Sequence, residues 1–107
     1  MQVFHHLVYE YQKGLRDLSL FTCSAELLGK IEKSLNFQKI NYLVYPLKSD
    51  KINVFFGCFE CLEIIKSFSS SELSCITPEE DFILGMMLGY AKFQQYQRFL
   101  GRKRACA

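Results

Sequence analysis

The sequence is poor in several residue types and patterns that would mark a particular class of protein. It has no tryptophan, two prolines and two histidines among its 107 residues. The amino-terminal residues lack the basic leader and apolar core of a secretory signal. The longest apolar run, residues 82–91, is about half of the roughly 20 residues that a membrane-spanning helix needs. We therefore expect neither export nor a membrane anchor.

A strong charge of one sign is also absent. The formal net charge is +2, and basic residues cluster only near the end of the chain, in Arg98, Arg102, Lys103 and Arg104. A nucleic-acid footprint normally shows as a strong, clustered basic patch. Basic residues at the end of a helix, by contrast, also complement the helix dipole. We therefore expect no nucleic-acid partner.

Cysteine is present in an odd number, which argues against a framework of disulfides. The five cysteines are Cys23, Cys58, Cys61, Cys75 and Cys106. In a chain without an export signal these thiols should be reduced. We predict a cytoplasmic protein.

What the sequence has in quantity is apolar and aromatic residues. Hydrophobic residues make up 50% and charged residues 22%, which indicates a globular protein, and residues 1–107 fit a single domain. Aromatic residues reach 15%, from ten Phe and six Tyr. Much of the surface of so small a domain stays exposed. Some aromatic side chains must therefore face solvent or another chain.

The order of secondary-structure elements follows from hydrophobic periodicity. Residues 3–12 suit a helix ending at Lys13-Gly14, but their alternation also suits a strand, so both remain open. Asn36-Phe37 resembles a left-handed helix stop. The remaining pattern predicts a strand at 15–22, a helix at 24–36, strands at 40–47 and 51–57, and helices at 59–68 and 78–100.

This order predicts an α/β (α+β) fold with a small three-stranded mixed sheet packed with helices. The first two strands and the helix between them should form a right-handed crossover unit. Lys48-Ser49-Asp50 should then join the second and third strands as an antiparallel hairpin. In the third strand Ile52, Val54 and Phe56 share one face, so Phe55 needs separate cover on the other.

The long carboxy-terminal helix carries the clearest local signal. Thr77 as N-cap, Pro78 at the first helical position and Glu80 at the third agree as a start signal. The pattern predicts one helix to Leu100, ended by Gly101, with residues 101–107 as a basic tail. The first half of this helix is apolar nearly all round.

An apolar helix of this kind predicts either burial under the rest of the chain or a homodimer interface. Gly85 and Gly89 each cost about 1 kcal/mol inside a helix, so their gain should be the close approach of another backbone. Two-fold pairing is the commonest closed assembly. The interface candidates are Phe82, Gly85, Met86, Gly89, Tyr90, Phe93 and Tyr96.

The sharpest enzymatic motif is Cys58-Phe59-Glu60-Cys61, where a strand meets a helix. Helix amides could stabilise a Cys58 thiolate, with Cys61 as resolving thiol. Three features oppose this: Cys61 lies on the apolar face, Glu60 adds negative charge, and the preceding hairpin departs from the thioredoxin order. We predict no other catalytic residues, no cofactor and no metal.

The amino-terminal segment supplies candidate residues for a ligand pocket. His5, Tyr9 and Arg16 are polar or aromatic enough to line a pocket or the rim of an interface. The same residues also suit the ordinary outer face of a first helix. Adjacent His5 and His6 point in different directions in either a helix or a strand, so they do not form a metal site together.

Several stretches of the chain resemble a small bacterial family classed as a domain of unknown function. They are His5-His6, YEYQKGLR at 9–16, KINVFFG at 51–57, TPEEDFILG at 77–85 and LGY at 88–90. The resemblance implies a compact α/β fold of about three strands that forms homodimers. It also implies a genomic link to flavodoxin, and so an accessory role in electron transfer. Cys58 departs from the family pattern, and the family offers no catalytic residue to carry over.

The sequence therefore predicts a non-enzymatic, cytoplasmic homodimer that binds a protein partner, such as flavodoxin, or a small ligand. The alternative is a thiol redox protein that uses Cys58 and Cys61.

Overall fold

The computed structural model describes residues 1–106, without the side chain of Cys106. This part of the chain contains five helices and three strands, and two short 3-10 turns, Ala25–Leu27 and Leu73–Cys75, lie between them. The elements are α1 (Gln2–Gln12), β1 (Leu18–Ser24), α2 (Leu28–Phe37), β2 (Asn41–Pro46), β3 (Lys51–Gly57), α3 (Phe59–Lys66), α4 (Pro78–Met87) and α5 (Lys92–Cys106).

The fold is α+β, with a three-stranded sheet in the order β1-β3-β2. β3 is antiparallel to both neighbours, with Phe55 opposite Leu20 of β1 and Leu43 of β2. The predicted hairpin of β2 and β3 is confirmed. The predicted mixed sheet is wrong: β1 and β2 run in the same direction, but β3 lies between them, so no two adjacent strands are parallel.

Helices cover both faces of the sheet. On one face α1 and α2 pack on alternate strand residues, and the buried cluster includes Phe4, Ile31, Val54 and Phe56. On the other face the cluster joins Phe55 to residues of α3 and α4. Phe55 is fully buried there, so the prediction that it needs separate cover is confirmed.

The first segment, left open between helix and strand, is a helix. It ends in a Schellman motif, in which the Gly14 amide donates to the Tyr11 carbonyl and the Leu15 amide to the Glu10 carbonyl. Gly14 has a φ of 76°, which glycine adopts without steric cost. The stop predicted at Asn36-Phe37 is displaced, because the left-handed residue after α2 is Lys39, with a φ of 58°.

The predicted continuous helix at 78–100 is wrong. Gly89 has a φ of 80° and ends α4, with its amide donating to the Met86 carbonyl and the Tyr90 amide to the Gly85 carbonyl. α5 then begins at Lys92 and continues past Gly101 to Cys106. The predicted basic tail therefore belongs to the last turns of α5, apart from Ala107, which lies outside the described residues. No helix within residues 1–106 is both long and apolar enough to cross a membrane.

Candidate functional site

α4 and α5 form a helical hairpin, and ion pairs hold its two arms together. The start of α4 is as predicted: Thr77 and Glu80 form a reciprocal capping box. Arg98 of α5 forms a bidentate salt bridge with Asp81 of α4, with Nε–Oδ2 at 2.7 Å and Nη2–Oδ1 at 3.1 Å. Arg102 adds a contact to Asp81 at 3.2 Å and donates to the Ile76 carbonyl. These contacts therefore join the start of α4 to the middle of α5.

Asp81 is the electrostatic centre of this hairpin. Burial raises the pKa of Asp81, but the hydrogen bonds and charges of Arg98 and Arg102 outweigh it, and the pKa is lowered from its ordinary value. Asp81 is therefore a carboxylate that the two arginines neutralise. A more exposed pair, Glu79 with Lys103 at 2.8 Å, lies at the same end of the hairpin.

At Gly85 the two arms approach each other closely. A β-carbon at this position would overlap the carboxamide of Gln95 on α5. The close approach predicted for Gly85 therefore exists, and the helix that uses it belongs to the same chain. Gly89 lies in the exposed turn between the arms, where its role is conformational.

The outer side of the hairpin carries a groove of about 430 Å³ lined almost entirely by apolar atoms. Glu79 borders it. We call the other lining residues the apolar face: Phe82, Ile83, Tyr96, Phe99 and Leu100. The ring of Phe82 contacts the rings of Tyr96 and Phe99, with centroids 6.1 and 5.3 Å apart. The face is thus a surface of tilted aromatic rings in contact between two helices.

The structure brings some predicted interface residues onto or beside this face and separates others. Phe82 and Tyr96 belong to it, and Phe93, one helical turn before Tyr96, is 69% exposed. Gly85 and Tyr90 instead line a cavity of about 340 Å³ that also includes Gln95 and Leu20 of β1. Met86 is half-buried.

Three members of the apolar face, Ile83, Phe99 and Leu100, were not among the predicted interface residues. Leu100 is 51% exposed and Ile83 is 40% exposed. The signal for Leu100 was its spacing from Phe93 and Tyr96 on a helical stripe.

The two cysteines of the Cys-x-x-Cys motif lie on the first turn of α3. Cys58 is the N-cap residue and is half-buried, whereas Cys61 is 8% exposed. Burial, then the hydrogen bond with Cys58 and the Cys58 charge, raises the pKa of Cys61 to about 12. The structure therefore brings the two predicted thiols together. Cys23, Cys58, Cys61 and Cys75 are all free thiols, and Cys106 lies outside the described side chains.

The amino-terminal candidates have different surroundings. Arg16 donates to the Leu88 carbonyl at the end of α4, at 2.7 Å, and to Glu10 at 3.3 Å. It therefore ties α1 to the α4–α5 hairpin. His5 and Tyr9 are exposed on α1, where Lys13 lies over the Tyr9 ring.

Among the described residues no three or more His, Cys, Asp or Glu side chains group closely enough to hold a metal ion.

Comparison with known proteins gives a family and no activity. No curated protein matches the chain. A family model does, and it covers residues 2–102, which include every element from α1 to most of α5. This chain therefore belongs to the family described as protein of unknown function (DUF2023).

Proposed function

We propose that this protein is a non-enzymatic homodimer whose subunits associate through the apolar face of the α4–α5 hairpin. The observation that carries the proposal is the aromatic groove lined by Phe82, Tyr96 and Phe99. Contiguous exposed apolar surface of this kind marks interaction sites in soluble proteins.

The packing of α5 supports this choice of surface. Within the described residues α5 packs chiefly on α4, and Phe93, Tyr96 and Leu100 of α5 stay 69%, 44% and 51% exposed, so about half of this apolar surface is left without cover. When the apolar residues of a helix are covered on one side alone, a second surface that removes the rest from water makes the assembly more stable.

A second copy of the chain is the occupant that the geometry favours. Two α4–α5 hairpins related by a two-fold axis would place the same face on both sides and form a four-helix layer, a common closed arrangement. The aromatic pair Phe93 and Tyr96, 69% and 44% exposed, leaves roughly 200 Å² for burial if a full aromatic side chain buries about 150 to 250 Å².

The size of this face sets the expected affinity. α5 has 15 residues and is roughly 22 Å long. Two such helices side by side offer an area at the low end of the range for specific interfaces, whose standard size is about 800 Å² per partner. We therefore expect a dimer that dissociates on dilution through the micromolar range.

Analytical ultracentrifugation over a range of protein concentrations tests this proposal. The wild-type protein should pass from monomer to dimer, and Leu100→Glu should remain monomeric because it places a carboxylate in the apolar interface. Phe37→Glu is the matched control. Phe37 is 87% exposed on α2, which packs on the opposite face of the sheet, so this variant should dimerise like the wild type.

Circular dichroism should show the same helix content in all three proteins, because both substituted side chains are largely exposed. A wild-type mass that stays monomeric at every concentration would contradict the proposal. Equal dimerisation of the Leu100 and Phe37 variants would show that the interface does not include the apolar face.

A protein partner for the assembled dimer is the second part of this proposal. Flavodoxin is the partner that the family resemblance implies, and the exposed aromatic residues outside the apolar face, such as Tyr9 and Phe59, could contact it. Sedimentation of the purified protein mixed with flavodoxin from the same organism would test this. If no faster species forms at concentrations at which the dimer is populated, flavodoxin is not the partner.

A further inference from the structure

The first turn of α3 holds two thiols at positions whose side chains meet. Cys58 is the N-cap residue, with extended backbone at φ −70° and ψ 149°, and Cys61 is the third residue of the helix. The same two positions in α4 are Thr77 and Glu80, whose side chains and backbones bond across the turn. The side chains of the N-cap and third residues therefore lie on the same turn, and the Cys58 side chain is near enough to Cys61 to hydrogen-bond with it.

The backbone around Cys58 is held firmly in place. The Cys58 amide donates to the Asp17 carbonyl at 2.9 Å. Gly57 before it has a φ of 149°, and a β-carbon there would overlap the same carbonyl oxygen. Glycine thus allows the end of β3 and the start of β1 to approach closely, which fixes where α3 begins. The two sulfur atoms are consequently positioned by the sheet and not by a mobile loop.

The two thiols differ in their access to solvent. Cys58 is half-buried, at the exposed end of the helix, while Cys61 is buried among Leu62, Ile65 and the sheet. Beside Cys58, Phe59 is 59% exposed. An external disulfide can therefore reach Cys58, and only Cys58 can then present its sulfur to Cys61.

We propose that Cys58 and Cys61 form a reversible dithiol–disulfide couple that exchanges with the disulfide of a thiol compound or protein. The Cys58 thiolate attacks one sulfur of the disulfide RSSR, a Cys58–SR bond forms, and RS⁻ leaves and takes up a proton. Cys61 loses its proton to solvent and attacks the Cys58 sulfur, and the second RS⁻ leaves and is protonated. Two electrons pass to RSSR, which becomes two RSH molecules.

The second step is favoured once the first has occurred. In the mixed disulfide Cys58 carries no negative charge and no longer accepts a hydrogen bond from Cys61. Burial, the largest cause of the raised pKa of Cys61, remains, but these two further causes are removed, so the Cys61 thiolate becomes easier to form. Since the two thiols lie on the same helical turn, ring closure competes well with a second external thiol.

Peptide mapping of the wild-type protein in glutathione redox buffers tests this couple. Trypsin places Cys58 and Cys61 together on residues 52–66, with Cys75 on residues 67–92 and Cys23 on residues 17–30. After equilibration, acid quenching and alkylation, residues 52–66 should be lighter by two hydrogens and resist alkylation. Cys75, which is exposed on another element, should carry only a glutathione adduct.

We expect residues 52–66 to be about 90% disulfide at the buffer ratio at which half of Cys75 carries glutathione, because closure is intramolecular. In Cys61→Ser, glutathione should accumulate on Cys58, since nothing displaces it. Circular dichroism verifies that this variant is folded. Residues 52–66 that stay reduced, or that carry only glutathione adducts in the wild type, would overturn the proposal.

Discussion

Gly85 of α4 lies so close to Gln95 of α5 that no side chain other than hydrogen fits between them. Gln95 is itself buried, near the start of α5. The steric opening that a glycine leaves in a helix is therefore filled by the chain's own next helix. The proposed association between subunits therefore needs no opening at Gly85 and would use the aromatic rings of the apolar face.

Substituting Gly85 by alanine should destabilise the protein, because Gln95 has to move from a buried position. We expect the overpacking to cost about 1 to 3 kcal/mol of the free energy of unfolding. This cost opposes the roughly 1 kcal/mol by which alanine is favoured over glycine in a helix. Urea denaturation measures the difference. Gly29→Ala is the matched control: Gly29 lies in α2 with open space at its β-carbon, so that variant should be more stable than the wild type.

The role of Gly89 is conformational, and the Gly89→Ala variant tests this role separately from packing. A β-carbon at Gly89 meets no close neighbour, but its φ of 80° is strained for alanine. We expect about 1 kcal/mol of destabilisation from this backbone strain, measured by thermal unfolding. Because Gly89 is not on the apolar face, dimer affinity per folded subunit should stay the same, and a weaker dimer would return Gly89 to the interface.

The sequence predicts local structure well where the signal is local. The capping box at Thr77 and Glu80 depends on four adjacent residues, and it is present as expected. The exposure of some aromatic side chains also follows from composition and size. Strand order does not follow in this way, because the insertion of β3 between β1 and β2 depends on contacts between distant segments.

The two glycines of the carboxy-terminal segment show why the site itself was predicted only in part. Gly85 and Gly89 are both surrounded by apolar residues, so sequence pattern does not distinguish them. The two glycines differ in their tertiary contacts. Near Gly89, Arg16 of the α1–β1 connection donates a hydrogen bond to the Leu88 carbonyl at the end of α4, although the two residues are 72 positions apart. Because the helix breaks at Gly89 and α5 packs on α4, Phe99 and Leu100 lie beside Phe82 in the apolar face.

Ser19 offers a test of burial in the sheet. Its hydroxyl oxygen is buried in β1 and has no hydrogen-bond partner among the described residues. Burying an unpaired hydroxyl costs about 1 to 3 kcal/mol, so Ser19→Ala should unfold at a higher temperature than the wild type. Ser24→Ala serves as a control, because Ser24 accepts a hydrogen bond from the Glu26 amide and its loss should lower stability. A less stable Ser19 variant would indicate that the hydroxyl has a partner, such as a buried water.

Asp81 should make the stability of the hairpin depend on pH. The carboxylate is 14% exposed and bonds to Arg98 and Arg102. At neutral pH, Asp81→Asn should therefore cost about 1 to 3 kcal/mol, as for hydrogen bonds to charged groups. Glu79→Gln is the control: its pair with Lys103 is about half exposed on both sides, so it should cost far less.

The sign of the pH effect follows from the lowered pKa of Asp81. The unfolded chain binds the proton more readily than the folded one, so the stability that Asp81 adds is complete above its ordinary pKa of 3.8 and is lost as the pH falls through the folded value. Urea denaturation of the wild type and Asp81→Asn should thus differ most above about pH 5 and converge as the pH falls below that ordinary value. A difference that stays constant over this range would show that asparagine disturbs packing alone, without the loss of an ionised pair.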